Sequence, residues 1–547
     1  MNLTTWNIVL RYLQWIGLAI VVVGLPFSNF LMSFGMLWLA GVLVCMITTD
    51  LLSGISIRPR WQRFTGNSNA IALTVLFALP VLGLLWTSDF NYAAWDLRMK
   101  LPILALPILL SMLEPLTQGQ FRALIGLFIV AVISAVMWCL QVYWTSGPDI
   151  ENDVRKISVF ISHVRFSLLI ALALGLLVRF AHGSAQGRLL IALVSIPSLY
   201  FIYVIGSVTG VIVLVALAMW MGVRLIITLQ NKWIKVGLAL AMVTALALTS
   251  SAIYRAYDSY FHVEPIAWNS LDQTTSRGEL YQHHANYPFV EDGHYVMTYV
   301  AWGELYDAWF TRSLIHPDSL DARGHVLKGT LIRYLASKGL RKDADGIAAL
   351  SNDDVKAIEQ GIPTINDGKK HGLEKRLDRI FFEWSNYRAG GDPNGHSVTQ
   401  RWEFWKTGWT IVLAHPWFGV GTGDVKASFH QAYIDNHSPL QAEFRLRAHN
   451  QYLTMWISYG IAGLVAFLIV LCWPLFHGYR HDVVMQMFLL LASLSFLTED
   501  TLESQAGVMF FAFFYTLFTS KRSLSLAELG RSKSKAARPS SDAKSRK

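Results

Sequence analysis

The sequence predicts an all-α polytopic membrane protein with about twelve transmembrane helices and a large, mostly helical domain outside the bilayer. Three observations predict it. The 547 residues have a mean hydropathy of +0.38 and are 53% hydrophobic but only 15% charged, where soluble chains carry about 25% charge. The apolar residues gather in runs close to the roughly 20 residues needed to cross a bilayer as a helix. One long stretch, 253–449, has no such run and is rich in charge, turns and aromatic residues.

The runs lie at 10–28, 31–49, 70–87, 101–113, 122–144, 166–181, 188–205, 208–229, 234–252, 450–473, 483–498 and 505–519. The fourth is short and contains Pro102 and Pro107, and the seventh and eighth are separated only by Gly206-Ser207, a tight turn or a break. Orientation follows from basic residues in short loops. With the N-terminus cytoplasmic, the inner loops hold Arg58, Arg60, Arg63, Arg122, Arg188, Arg224, Lys232, Lys235 and Arg480. An even span count returns the C-terminal tail to the same side. After Phe518 that tail carries nine Lys and Arg, with Ser, Ala and Pro and no aromatic residue. It reads as a disordered topology anchor beside anionic lipid rather than a nucleic-acid binder. The first run lacks a cleavage site and is read as an uncleaved span. Cys45, Cys139 and Cys472 fall inside apolar runs without ligand spacing and read as small core residues.

The predicted organisation is therefore a bundle of about nine spans over 1–252, an extracytoplasmic (periplasmic) domain over 253–449, about three further spans over 450–519, and the basic cytoplasmic tail 520–547. Within the domain, 325–338 and 369–388 have helical patterns, and 352–362 starts with the N-cap residues Asn352 and Asp353 and stops at Gly361. The aromatic stretch 295–310 reads as an amphipathic core helix. Residues 401–414 (RWEFWKTGWTIVLA) suit an interfacial helix, with Arg401 at its start and Trp402, Phe404, Trp405 and Trp409 at headgroup level.

Residues 401–450 carry the richest chemistry. His415-Pro416 ends the interfacial helix, Gly419-Val420-Gly421-Thr422-Gly423 follows as a flexible turn, and Arg445, Arg447, His449 and Asn450 precede the next span. A helix start leaves N–H groups without partners and attracts anions. Arginine grips phosphate oxygens bidentately, and a neutral histidine accepts a proton. Together these residues suit binding of a lipid-linked phosphate and deprotonation of an attacking hydroxyl. The same residues also read as a helix cap with interfacial anchors.

The run from Arg401 through His415-Pro416-Trp417-Phe418-Gly419-Val420-Gly421 to Ala448-His449-Asn450-Gln451-Tyr452-Leu453 and Gly460-Ile461-Ala462-Gly463-Leu464 resembles the signature of the O-antigen ligase / O-antigen polymerase family. The resemblance covers roughly 65 residues in motif and the remainder in topology. It implies a metal-independent, cofactor-free glycosyltransferase of the GT-C-like membrane class in the bacterial inner membrane, active on the periplasmic face. The donor would be an undecaprenyl-pyrophosphate-linked glycan, and the acceptor lipid A–core, another glycan or a protein. His449 would be the catalytic base and Arg401 a pyrophosphate ligand, with Asn450 and Gly421 in support. Family members often carry an arginine in a Ser-Arg-Gly-like turn, where this chain has Ser207-Val208-Thr209-Gly210. Arg165, at the start of a span on the same side, is the first substitute, and Arg447 the next.

Other groups read as structure. Asp343-Ala344-Asp345 has the spacing of a carboxylate pair but sits in a charged, turn-like stretch. His283-His284 and His294 lack zinc spacing. Glu499, Asp500 and Glu503 lie in an outside turn between the last two spans, where an approach to the site is open to them but a water-exposed turn explains them. A polymerase joining lipid-linked repeats shares the ligase signature. A transporter would place its charges in mid-membrane, whereas here they gather at the rim.

Overall fold

The computed structural model describes residues 3–146, 154–181, 183–263, 266–284, 289–367 and 372–536. Among them, nine helices are long and apolar enough to cross a membrane. The first half of the chain holds α1 (Leu3–Phe27), α2 (Asn29–Leu52), the short α3 (Arg58–Thr65), α4 (Ser68–Leu76), α5 (Ala78–Leu82), α6 (Phe90–Met112), α7 (Gln118–Thr145), α8 (His163–Ala181), α9 (Ala185–Val204), α10 (Val208–Thr228) and α11 (Lys232–Phe261). The segments α4 and α5 continue into a 3₁₀ turn to Trp86, and together they form one span. Two shorter apolar helices occur near the C-terminus, and α6 carries Asp96 and Lys100 inside it. The all-α membrane class is thus as expected; the number of crossings is a matter of how α6 and the shorter helices sit.

Packing explains why the bundle holds. The helices α1 and α2 form an antiparallel hairpin, α1 lies on α7, and α8 is embedded among α7, α9, α10 and α20 (Val483–Thr498). Accordingly α8 is buried from Ser167 to Leu177, while the apolar window of α11 contains no buried residue at all. Leu240 and Val243 on α11 are more than 60% exposed. Such a face is a liability in water and the expected surface in hydrocarbon. Gly206-Ser207 is a tight turn: Ser207 caps α10 by accepting from Gly210 N at 3.1 Å and also meets Ser167 Oγ of α8 at 3.0 Å.

Between the bundle halves lie α12 (Trp302–Phe310), α13 (Leu327–Ser337), α14 (Ala344–Ala348), α15 (Asn352–Glu359) and α16 (Gly372–Arg388), with a two-residue hairpin of β1 (Val290–Glu291) and β2 (His294–Tyr295). They share a core of their own around Leu305, Trp309, Leu331, Leu335 and Ile358. The expected helix over 295–310 is confined to α12. The residues before it form the strand β2, turns and bends that include Tyr299 at φ +57°, and then Val300, which bridges to Gln282 and Lys342. The N-cap of α15 is Ser351, in a reciprocal capping box with Asp354, one residue earlier than expected. Asp343 is the N-cap of α14, accepting from Gly346 N at 2.7 Å, and also accepts from Tyr281 Oη. It is a cap, not half of a metal pair. The chain closes with α17 (Ser397–Ala414), α18 (Val425–Asp435), α19 (Gln451–Phe476), α20 and α21 (Gln505–Ala536). The backbone of α21 is helical through Ala536, so the first part of the segment expected to be irregular continues a helix; residues 537–547 lie outside the described residues.

Candidate functional site

The site forms where α17, the segment before α19, and the turn after α20 meet. His449 adopts φ +46°, a left-handed conformation uncommon for a side chain with a Cβ. Asp500 accounts for it. Its carboxylate accepts from His449 N at 3.0 Å, Asn450 N at 2.9 Å and Thr454 Oγ1 at 2.7 Å. Asn450 then caps α19 by accepting from Leu453 N at 3.1 Å. The sequence reading offered this helix start to an external anion. The structure sets the protein's own carboxylate there instead, on the N–H groups of His449 and of the cap residue Asn450.

The imidazole is set from two sides. Its ring stacks on Phe404 of α17, with centroids 5.6 Å apart. Its Nδ1 lies 3.4 Å from Glu499 Oε2, and the other oxygen of that carboxylate accepts from Arg401 Nη2 at 2.8 Å. Burial disfavours the charged carboxylate, but the hydrogen bond and charge of His449 and the guanidinium groups of Arg401 and Arg165 outweigh it and hold the Glu499 carboxyl below its usual range. An ionised carboxylate only accepts hydrogen bonds. When the imidazole is neutral, this pairing selects the tautomer that carries its proton on Nδ1 and leaves the lone pair on Nε2. Trp405, read as an interfacial anchor, instead donates from Nε1 to Ala448 O at 2.9 Å. Both aromatic residues are supports of the histidine. Arg401 stands in the second turn of α17, which begins at Ser397, rather than at its start.

Arg165 lies in the first turn of α8 and is within electrostatic reach of Glu499 and Asp500. Its Nε is buried without a hydrogen-bond partner among the described residues. Two residues on, Ser167 touches Ser207, beside the position where the expected arginine is missing. His449, Arg401 and Arg165 are thus brought together around Glu499.

Arg447 is not in that group. It pairs through Nη2 with Glu503 Oε2 at 3.0 Å and donates from Nη1 to Tyr92 Oη at 3.1 Å. Glu503 also meets Lys100 Nζ at 3.0 Å, and Lys100 meets Asp96 at 2.8 Å, with all three side chains at most 4% exposed. Burial opposes the charged form of Glu503, but Arg447 and Lys100 reverse this and keep its carboxyl low. The reading of 499–503 as a water-exposed turn is corrected: Glu499, Asp500 and Glu503 are the acids on which the site is built. Only their placement between two apolar runs, opposite a His-Asn step, signalled this in the sequence.

Gly421 belongs to the scaffold. Val420 N and Gly421 N donate to Ile457 O and Ser458 O at 2.9 and 3.0 Å, and Ile461 N donates to Pro416 O at 2.9 Å. Gly460 interrupts α19 with φ +68° and ψ −171°, which frees those carbonyls. A Cβ on Gly460 would stand 2.0 Å from Trp417 O, and one on Gly421 (φ +90°) 2.7 Å from Thr87 Oγ1. The Gly-rich run is therefore a locked junction rather than a flexible turn.

The fold and site define a helical membrane protein with a histidine–carboxylate–arginine cluster beside a helix start. Residues 355–468 match the family model described as O-antigen ligase, so this part of the chain is similar to that family. The match takes in α17, the junction and His449. An uncharacterized protein of Haemophilus influenzae is 24% identical over 121 residues, which are 22% of this chain. The chain spans 30% of the length of that relative.

Proposed function

We propose that the protein transfers a glycan from undecaprenyl pyrophosphate to an acceptor hydroxyl on the periplasmic face of the inner membrane, as an O-antigen ligase does, with a GT-C-like fold. The acceptor oxygen attacks the anomeric carbon while the bond from that carbon to the pyrophosphate oxygen breaks and its electron pair leaves with the lipid pyrophosphate. The acceptor's proton passes to His449 Nε2. In-line attack inverts the anomeric carbon. Arg165 and the remaining donors of Arg401 take the charge growing on the diphosphate, the kind of stabilisation that contributes most when it is pre-organised. Asn450 and Gly421 support the backbone, and Arg447 acts from behind through Glu503.

The observation that carries this reading is the shared carboxylate of Glu499, which fixes the imidazole tautomer and holds Arg401 beside it. His449→Ala is expected to lower transfer by about 10²–10⁴-fold while the protein still inserts, assayed with purified full chain, lipid-linked glycan and lipid A–core. Undiminished transfer by that variant overturns the assignment. The acceptor is read from deletion cells: free lipid-linked polymer accumulates when a ligase is lost, whereas single repeats on the core mark a lost polymerase.

A further inference from the structure

At the end of the bundle away from His449 lies a second feature that the glycosyl-transfer reading does not use. The helix α19 starts beside the site at Gln451 and ends at Phe476; His477 and Tyr479, immediately after it, line a cavity of about 320 Å³. Its polar wall includes Gln14, Arg63, Asn69, Ser111 and Glu114, and its apolar wall includes Leu18, Leu110, Leu116, Phe121 and Leu517. Arg63 Nε, Asn69 Oδ1 and Ser111 Oγ are all buried without a hydrogen-bond partner among the described residues. Asn69 is 4% exposed and Ser111 7%. Three orphaned polar atoms on one cavity are costly unless an occupant pairs them.

The charge around the cavity specifies the occupant. Glu114 is met by Arg11 at 3.6 Å, Arg60 at 3.0 Å and Arg63 at 3.4 Å, and Arg60 also pairs with Asp50 at 2.6 Å. Of these, Arg63 and Glu114 line the cavity and Arg11, Arg60 and Asp50 stand behind them; among the described residues the cluster leaves one positive charge. An occupant with acceptor oxygens suits Arg63 Nε and the Ser111 hydroxyl, and one with a hydroxyl donor suits Asn69 Oδ1.

We propose that this cavity binds the glycerophosphate headgroup of an anionic membrane lipid. The phosphate accepts from Arg63 and Ser111, a headgroup hydroxyl donates to Asn69, and the first acyl carbons lie along the apolar wall. A soluble phosphate ester shares the polar part of this chemistry but makes no use of that wall.

The test is retention of lipid by the purified full chain in nanodiscs holding equal amounts of phosphatidylglycerol and phosphatidylethanolamine, released into the gas phase and read by native mass spectrometry. At least a tenfold preference for phosphatidylglycerol is expected, falling at least tenfold in Asn69→Leu and unchanged in Arg255→Gln, which lies on α11. Ser111→Ala, a smaller change, is expected to move retention in the same direction and serves where Asn69→Leu fails to fold. Equal retention by the wild type and these variants overturns the site. Displacement of the lipid by glycerol 1-phosphate at equal concentration overturns the lipid as its source. Neither result depends on transferase activity.

Discussion

At the scale of single residues, the arrangement turns on Glu499. Its two oxygens serve His449 and Arg401, so removing its charge loosens both. Glu499→Gln keeps the shape but can present an N–H to Nδ1, favouring the wrong tautomer. Transfer is expected to fall by about 10²-fold or more, with insertion and yield unchanged. The same carboxyl has its proton affinity lowered in the folded protein. Its contribution to stability is therefore complete above the unfolded value of about 4.3 and is lost as the pH falls through the folded value. In thermal unfolding scans, the wild type should lose stability over that acid range more steeply than Glu499→Gln. Of these residues, His449, Arg401 and Arg165 were legible in the sequence. Their chemistry is unusual at a membrane rim, and a resemblance attached roles to it. Glu499 was not legible as a partner, since an acid in a short turn looks the same whether water or an imidazole faces it.

At the scale of elements, the junction between the 416–421 run and the broken helix α19 holds the site's second wall. Gly460→Ala must place a methyl against Trp417 O in a left-handed conformation. A loss of about 1–3 kcal/mol from the backbone alone is expected, and a circular-dichroism melt in detergent checks it. In the helical region between the bundle halves, Ser351→Ala removes one half of the α15 capping box and is expected to cost about 1 kcal/mol, seen as faster hydrogen exchange confined to Asn352–Glu359. Helix existence was legible from apolar runs and caps. Helix starts were less so: Arg401 moved from the first residue to the second turn because Ser397–Gln400 extend the helix, and Ser351 outcompeted Asn352 as the cap.

At the scale of the molecule, the buried group Asp96–Lys100–Glu503–Arg447 ties α6 to the turn beneath the histidine. Removing one member strands the rest. Lys100→Met is expected to destabilise the protein by about 3–5 kcal/mol, measured by unfolding in detergent, and the double change Lys100→Met with Glu503→Gln to recover part of it. No loss in the single variant would show that water, not the protein, solvates this group. The charges within α6 also explain why one span was hard to read: its apolar run looked short because the helix starts at Phe90, eleven residues before the run, and carries its ions inward.

Read alone, the chain already gives the class of this protein, the existence of most of its helices, the stretch without long apolar runs between them and the motif that carries the family resemblance. Those follow from local quantities: apolar run length, caps, and residue types at short spacing. The tertiary structure alone decided which acids face which bases. Asp500 sits at a helix start that looked vacant, Glu499 joins two residues nearly fifty positions apart, and Arg447 turns toward α6. Pairing between distant charges depends on how helices cross and which faces they bury, and no local pattern encodes that.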